Sequence, residues 1–212
     1  MQGSYILLFA LGIFFLIGGA KRVLRSFRLS SFSAVLFIVL IIIGNLFPPV
    51  GKDIRFYLGT LILTVLSILF LATDNYKAMS GMIASVIVIA ALITLYKTQI
   101  IDRFKVTEFA SSIMIIAGTA ISSFILTKNS GQAFTVSILS LIGYAFAVAL
   151  IGKKPIVIGD PAMFEIIIYS SLGAVFLNEL VLEFIPMFSE RAYDLRFEAG
   201  RIDESEDNSE GK

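Results

Sequence analysis

The chain has no cysteine, no histidine and no tryptophan, and only 16% of its 212 residues are charged. Each absence closes a class of chemistry. Without Cys there are no disulfides, no thiolate metal sites and no lipid attachment through sulfur. Without His as well, Cys–His and Ser–His catalysis are excluded, and a zinc or haem site loses its usual ligands. The net charge of +1 offers no long-range field for nucleic acid. There is no Gly-rich phosphate loop ending in Lys-Ser/Thr and no dinucleotide fingerprint. No apolar run holds an Asp, which removes paired-aspartate intramembrane proteolysis, or a Lys that could serve a membrane serine protease as base. The expectation is a protein that is not an enzyme and carries no cofactor and no metal.

What is present is mostly apolar. Hydrophobic residues make up 57% of the chain, and the mean hydropathy is +0.90. Soluble domains run nearer 45–50% apolar and about 25% charged. The excess extends to about residue 185. It begins with a pattern that organises everything after it: Tyr5–Ala20 carries no charge, Lys21, Arg22, Arg25 and Arg28 follow, and Ser30–Phe47 is again uncharged. Nothing polar lines either run on any face, so the pair reads as two membrane spans joined by a cationic turn. Met1–Tyr5 lacks the basic start of a signal peptide, so the first run is expected to be retained.

A spanning helix needs about 20 mostly apolar residues, with a lower limit near 17. The runs between charges give seven candidates, at about 4–20, 30–47, 56–72, 78–96, 106–126, 133–151 and 161–185. Pro48-Pro49 with Gly51 stops the second. Asp74-Asn75 and Asn129-Ser130-Gly131 break the chain further on, and Gly159-Asp160-Pro161 hands over to the last, which Pro186 ends. The fold class expected is all-α: a polytopic integral membrane bundle of seven transmembrane helices over 1–186, followed by a charged cytoplasmic tail, 187–212. The alternative has six, with 161–185 partly out of the bilayer because it holds three carboxylates. The tail has four basic and eight acidic residues, and its distal part is expected to be disordered.

Lys and Arg in the loops set orientation. With the N-terminus outside, ten cations fall inside and seven outside, and four of the ten are in the first loop. The localisation read from this is a cell membrane, bacterial inner membrane by general composition, with N-terminus outside and C-terminus cytoplasmic. Tyr5, Tyr57, Tyr76 and Tyr96 lie at span ends, where an aromatic belt sits. Small residues crowd the later spans: Gly81 and Ser85 in the fourth, Ala117, Gly118 and Ala120 in the fifth, Ser140 and Gly143 in the sixth, Gly173 and Ala174 in the seventh. Close packing in lipid depends on such residues, so the tight bundle is expected in spans four to seven.

Four acids fall within the runs: Glu108, Glu165, Glu179 and Glu183. An ionisable group in a bilayer is a functional candidate by default. Glu108 shares a helical face with Ser111, Ser112, Thr119 and Ser122, while Glu165, Tyr169, Glu179 and Glu183 share another, with Asn178 beside it. Tyr169 stands one turn from Glu165. Spans five and seven both start outside, so Glu108 and Glu165 lie at similar depth, where two carboxylates could hold a proton or cation. The candidate ion or proton site is therefore Glu108, Glu165, Tyr169, Asn178 and Glu179. Their positions near span ends equally suit carboxylates reaching headgroups or loop cations. Lys21, Arg22, Arg25 and Arg28 are candidate contacts for anionic lipid, besides being a topology signal.

The expected function is a multi-pass membrane protein that works without catalysis, through assembly, scaffolding or sensing. Its partners are the lipid bilayer and a membrane-protein partner or a second copy of itself. The alternative is a small carrier or channel for protons or cations using the intramembrane carboxylates. A lipid-modifying enzyme built on Asp160 or Asp102 ranks behind both.

Overall fold

The computed structural model describes residues 3–17, 21–27, 29–52, 54–72, 75–98, 108–152 and 156–184. For 22, 25, 26, 75–78, 108, 109, 152, 156 and 182–184 only the backbone is described. The tail at 187–212 and Arg28, Gly18-Gly19-Ala20 and Asp102 fall outside.

Among the described residues the structure is all-helical apart from two three-residue strands. Seven helices of 14 to 24 residues succeed one another: α1 (Gly3–Leu16), α3 (Ser31–Leu46), α4 (Leu58–Ala72), α5 (Asn75–Lys97), α6 (Glu108–Leu126), α7 (Ser130–Gly152) and α8 (Pro161–Phe184), with a short α2 (Lys21–Ser26) between the first two. Three of them contain stretches both long and apolar enough to cross a membrane: Met79–Lys97, Ser130–Ile151 and Pro161–Val181. The others are apolar but shorter, α1 at 14 residues, α3 at 16 and α4 at 15. At 1.5 Å per residue these reach about 21–24 Å, less than the ~30 Å of a bilayer's hydrocarbon.

The shortness has local causes. Ser30 caps α3 through a 3.1 Å bond from the Ser33 amide, and Phe47 leaves the helix in extended conformation just before Pro48. Phe56, taken from the sequence as the start of the third span, belongs instead to strand β1 (Ile54–Phe56). That strand pairs in parallel with β2 (Ile156–Ile158), in register Ile54 with Ile156 and Phe56 with Ile158. Val50 adds an antiparallel bridge to Phe56, closed by two 2.9 Å backbone bonds around Gly51, whose φ of +130° suits glycine. The chain breaks expected at Asp74-Asn75 and Asn129-Ser130-Gly131 fall between helices, and each Asn also serves the start of the next one. Asn75 opens α5, and Asn129 caps α7, its Oδ1 accepting the Gln132 amide at 2.8 Å.

The ladder gathers the starts of α4 and α8 at one end of the bundle, and Gly3 of α1 lies there against Tyr169. Helix α2 lies at the opposite end, where Phe27, just after it, packs at a tilt on Phe70 of α4 and edge-on to Phe134 of α7. These are called the ladder end and the elbow end below.

Helix α7 is the axle. From Ser130 to Ala145 nearly every residue is buried, with α4, α5, α6 and α8 packed on it. Three alanines, Ala120 of α6, Ala133 of α7 and Ala174 of α8, form one buried contact, and a Cβ on Gly173 would sit 3.4 Å from that of Ala120. Helix α5 meets this core through a narrow stripe, Gly81, Ala84, Ser85, Val88 and Leu92, and exposes Met79, Met82, Ile83, Val86 and Ile87. Large apolar side chains likewise cover the outer faces of α1, α3 and α4; Phe9 is 66% exposed and Phe32 74%. A surface of this kind is far beyond the scattered apolar patches of soluble monomers.

Candidate functional site

Polar groups collect in two places, one at each end, with a seam of hydroxyls between. At the ladder end Tyr5 packs on Phe164, ring centroids 5.5 Å apart, and its hydroxyl lies in the electrostatic neighbourhood of Tyr57 and Glu165. A Cβ on Gly3 would run into the Tyr169 hydroxyl and come within 4.0 Å of Glu165 Oε1, so the absence of a side chain at Gly3 lets α1 lie on these two residues of α8. Tyr5 therefore turns inward, where the sequence placed it in an outward aromatic belt. Asp160 caps α8, its Oδ1 accepting the Met163 amide at 2.8 Å, and the Tyr57 amide donates to the Ile158 carbonyl at 3.1 Å. Below the ladder, Asn45 Oδ1 accepts the Thr60 amide at 3.1 Å and ties α3 to α4 where Gly44 and Gly59 bring their backbones together.

At the elbow end Ser130 hydrogen-bonds Glu179 through its hydroxyl, which also stands 3.3 Å from Asn178 Oδ1. Gln132, 3% exposed, donates to the Ser80 hydroxyl of α5 at 3.4 Å and accepts the Lys128 amide at 3.4 Å. Between the ends, Thr119 and Ser123 of α6, Ser137 of α7 and Ser170 of α8 are fully buried, and their hydroxyls have no partner. Ser140 reaches the Ser85 carbonyl of α5 at 3.4 Å.

The sequence-derived residues divide accordingly. Glu165 and Tyr169 share the ladder end. Asn178 and Glu179 share the elbow end, joined by Ser130. Glu108 begins α6, and its side chain lies outside the described residues, as does that of Glu183. Because α6 and α8 touch at Ala120 and Gly173, Glu108 is level with Pro161, and Glu165 is one turn, about 6 Å, deeper along the bundle. Asp160 is occupied as a helix cap. Sequence reasoning placed Tyr5 at a span end and Ser130 in a turn, neither in the candidate site, and did not single out Gln132. A lone amide such as Gln132, opening a 23-residue apolar helix, was the available signal.

The elbow is more than a charged turn. Leu24 is 5% exposed, and Val23, Leu24 and Phe27 line a cavity of about 460 Å³ with Phe15, Ile41 and Phe134 among its other walls. Of the cations, Lys21 is exposed; Arg22 and Arg25 are on α2 by backbone alone.

Compared with known proteins, the chain matches no family model, no curated protein and no solved structure.

Proposed function

We propose that this is a seven-crossing protein of the cell membrane, N-terminus outside and C-terminus inside, that acts by contact and not by catalysis, as an assembly, scaffolding or sensing component. The observation that carries this reading is the use to which its buried polar groups are put. Ser130 with Glu179, Gln132 with Ser80, Ser140 with Ser85 and Asn45 with Thr60 each tie one helix to another. Hydrogen bonds across helices are a means of association that lipid does not compete with, since lipid tails are as apolar as Leu. Seven crossings are supported by the alternation of ends: each long helix starts where its predecessor finished. The three short helices cross by local thinning of the bilayer, at a cost of fractions of a kcal/mol per Å.

Cysteine accessibility scanning tests the threading without background, because the chain has no native thiol. Arg25→Cys should be labelled only after the membrane is opened and Lys52→Cys from outside; labelling of residue 25 from outside overturns it. In-cell photo-crosslinking from the exposed faces of α3 and α5 tests the contact role, which requires a discrete adduct.

A second reading is favoured by one observation, the unpartnered hydroxyls of Thr119, Ser123, Ser137 and Ser170 between the two carboxylate ends. It is a proton or cation carrier using Glu165, Tyr169, Asn178 and Glu179. Flux into proteoliposomes decides: if Glu165→Gln and Glu179→Gln proteins move ions as well as the parent, or the parent moves none, this reading is lost.

A further inference from the structure

We propose that the cavity above the elbow holds an acyl chain of an anionic phospholipid from the surrounding bilayer, with its headgroup at the cations carried by α2, Lys21, Arg22 and Arg25. The inference rests on the membrane-crossing reading and names the ligand class of the contact role. Three observations carry it.

The first is size and lining. About 460 Å³ is roughly three times the volume of an apolar cavity that accommodates benzene. Its walls come from α1, α2, α3, α4, α7 and α8 and are almost wholly aliphatic and aromatic. Leu69 lines it and is 54% exposed, so it opens to the surface on the α4 side, where a chain from the bilayer can enter.

The second is charge. The segment that closes the cavity with Val23, Leu24, Phe27 and Leu29 is the one whose sequence interleaves Lys21, Arg22, Arg25 and Arg28. Apolar walls and cations thus alternate along the same nine-residue stretch, 21–29, the arrangement an anionic amphiphile needs. A neutral lipid would leave the charges unused.

The third is Ser67. It lines the cavity, is 3% exposed, and its hydroxyl has no partner. It sits one turn before Phe70, which touches Phe27 of the elbow. That spare hydroxyl lies about 4.5 Å along α4 from the Phe70–Phe27 contact, buried in the cavity wall.

The chain has no Trp, so a single introduced indole reports alone. Full-length Phe37→Trp protein, with the indole on the cavity wall, is reconstituted in phosphatidylcholine vesicles containing brominated phosphatidylglycerol or, in parallel, brominated phosphatidylcholine. Phe9→Trp, on the exposed face of α1, is the reference. The expected result is stronger quenching of Phe37→Trp by the anionic lipid, by about fivefold in relative affinity per cation engaged. Arg22→Gln with Arg25→Gln should reduce the preference by about fivefold for each cation removed, and Ser67→Leu, which narrows the cavity, should weaken quenching of the indole by both lipids. Phe9→Trp should be quenched equally by both. Equal quenching of Phe37→Trp by the two lipids, or none by either, overturns the proposal while leaving the membrane reading intact. A Phe9→Trp protein quenched by neither lipid would overturn the membrane reading itself. If Phe37→Trp does not fold, Phe134→Trp reads the same cavity with the same outcomes.

Discussion

The two sides of α7 are built on different rules. Toward α6 and α8 the contacts are Ala120, Ala133, Ala174 and Gly173, flanked by Ser and Thr, and the helices approach closely. Toward α1, α3 and α4 the facing residues are Phe15, Phe37, Ile41, Leu63 and Phe134, and they leave a cavity. Both sides are apolar enough for a bilayer, so hydrophobicity does not explain the contrast. Size does. In water, large aliphatic side chains drive association by leaving solvent; in lipid they gain nothing by that, and only close approach and hydrogen bonding reward contact. The small-residue side is therefore a joint, and the large-residue side a space that lipid can share.

Four substitutions sharpen or break this contrast. The largest effect is expected from Ala174→Leu, at 0% exposure in the three-alanine contact. Overpacking should cost about 1–3 kcal/mol or more. Thermal unfolding in mild detergent should show it, while Ala10→Leu on the exposed face of α1 should unfold with the parent. Gly159→Ala comes next. Gly159 has φ +83° and faces the Thr60 side chain, so a methyl should cost about 1–3 kcal/mol and loosen the ladder, read as faster amide exchange at residues 156–158. Smaller is the tie at the elbow end: Ser130→Ala combined with Glu179→Gln in a double-mutant cycle should give a coupling near 0.6 kcal/mol, the average for such bonds in membranes. A coupling of zero would mean that smallness alone makes the joint. The smallest is Val39→Ala, on the exposed face of α3, expected within about 0.5 kcal/mol of the parent.

Much of this architecture was legible in the charge gaps. Apolar runs without a Lys or Arg mark helices because nothing else fits a bilayer, and each of the seven runs contains a helix. The crowding of Gly, Ala and Ser in the later runs foretold the α5–α8 packing, and Thr119, on the expected polar stripe, is buried. The ladder was not legible. Three-residue strands carry too little periodicity to separate from helix ends, and their partner is about a hundred residues away, so Phe56 looked like the first residue of a span. Asn75 and Asn129 were legible as interruptions, but their part in starting the next helix was not, because a cap and a break use the same residue types. Of the site, the Glu165–Tyr169 spacing was visible on a helical wheel. Ser130 was not, because a hydroxyl at a helix start carries no sign of the carboxylate it meets 49 positions later.

The ladder has a bearing on how the molecule is made. Ile54 and its neighbours are synthesised early, and Ile156–Ile158 come about a hundred residues later. At ribosomal rates of about 5–20 residues per second, the interval is on the order of 5–20 s. For that time α1 to α4 wait with an unpaired strand edge at their rim and an unfilled flank where α7 will stand. The ladder therefore cannot close until the turn between α7 and α8 has been made, whatever the early helices have done by then.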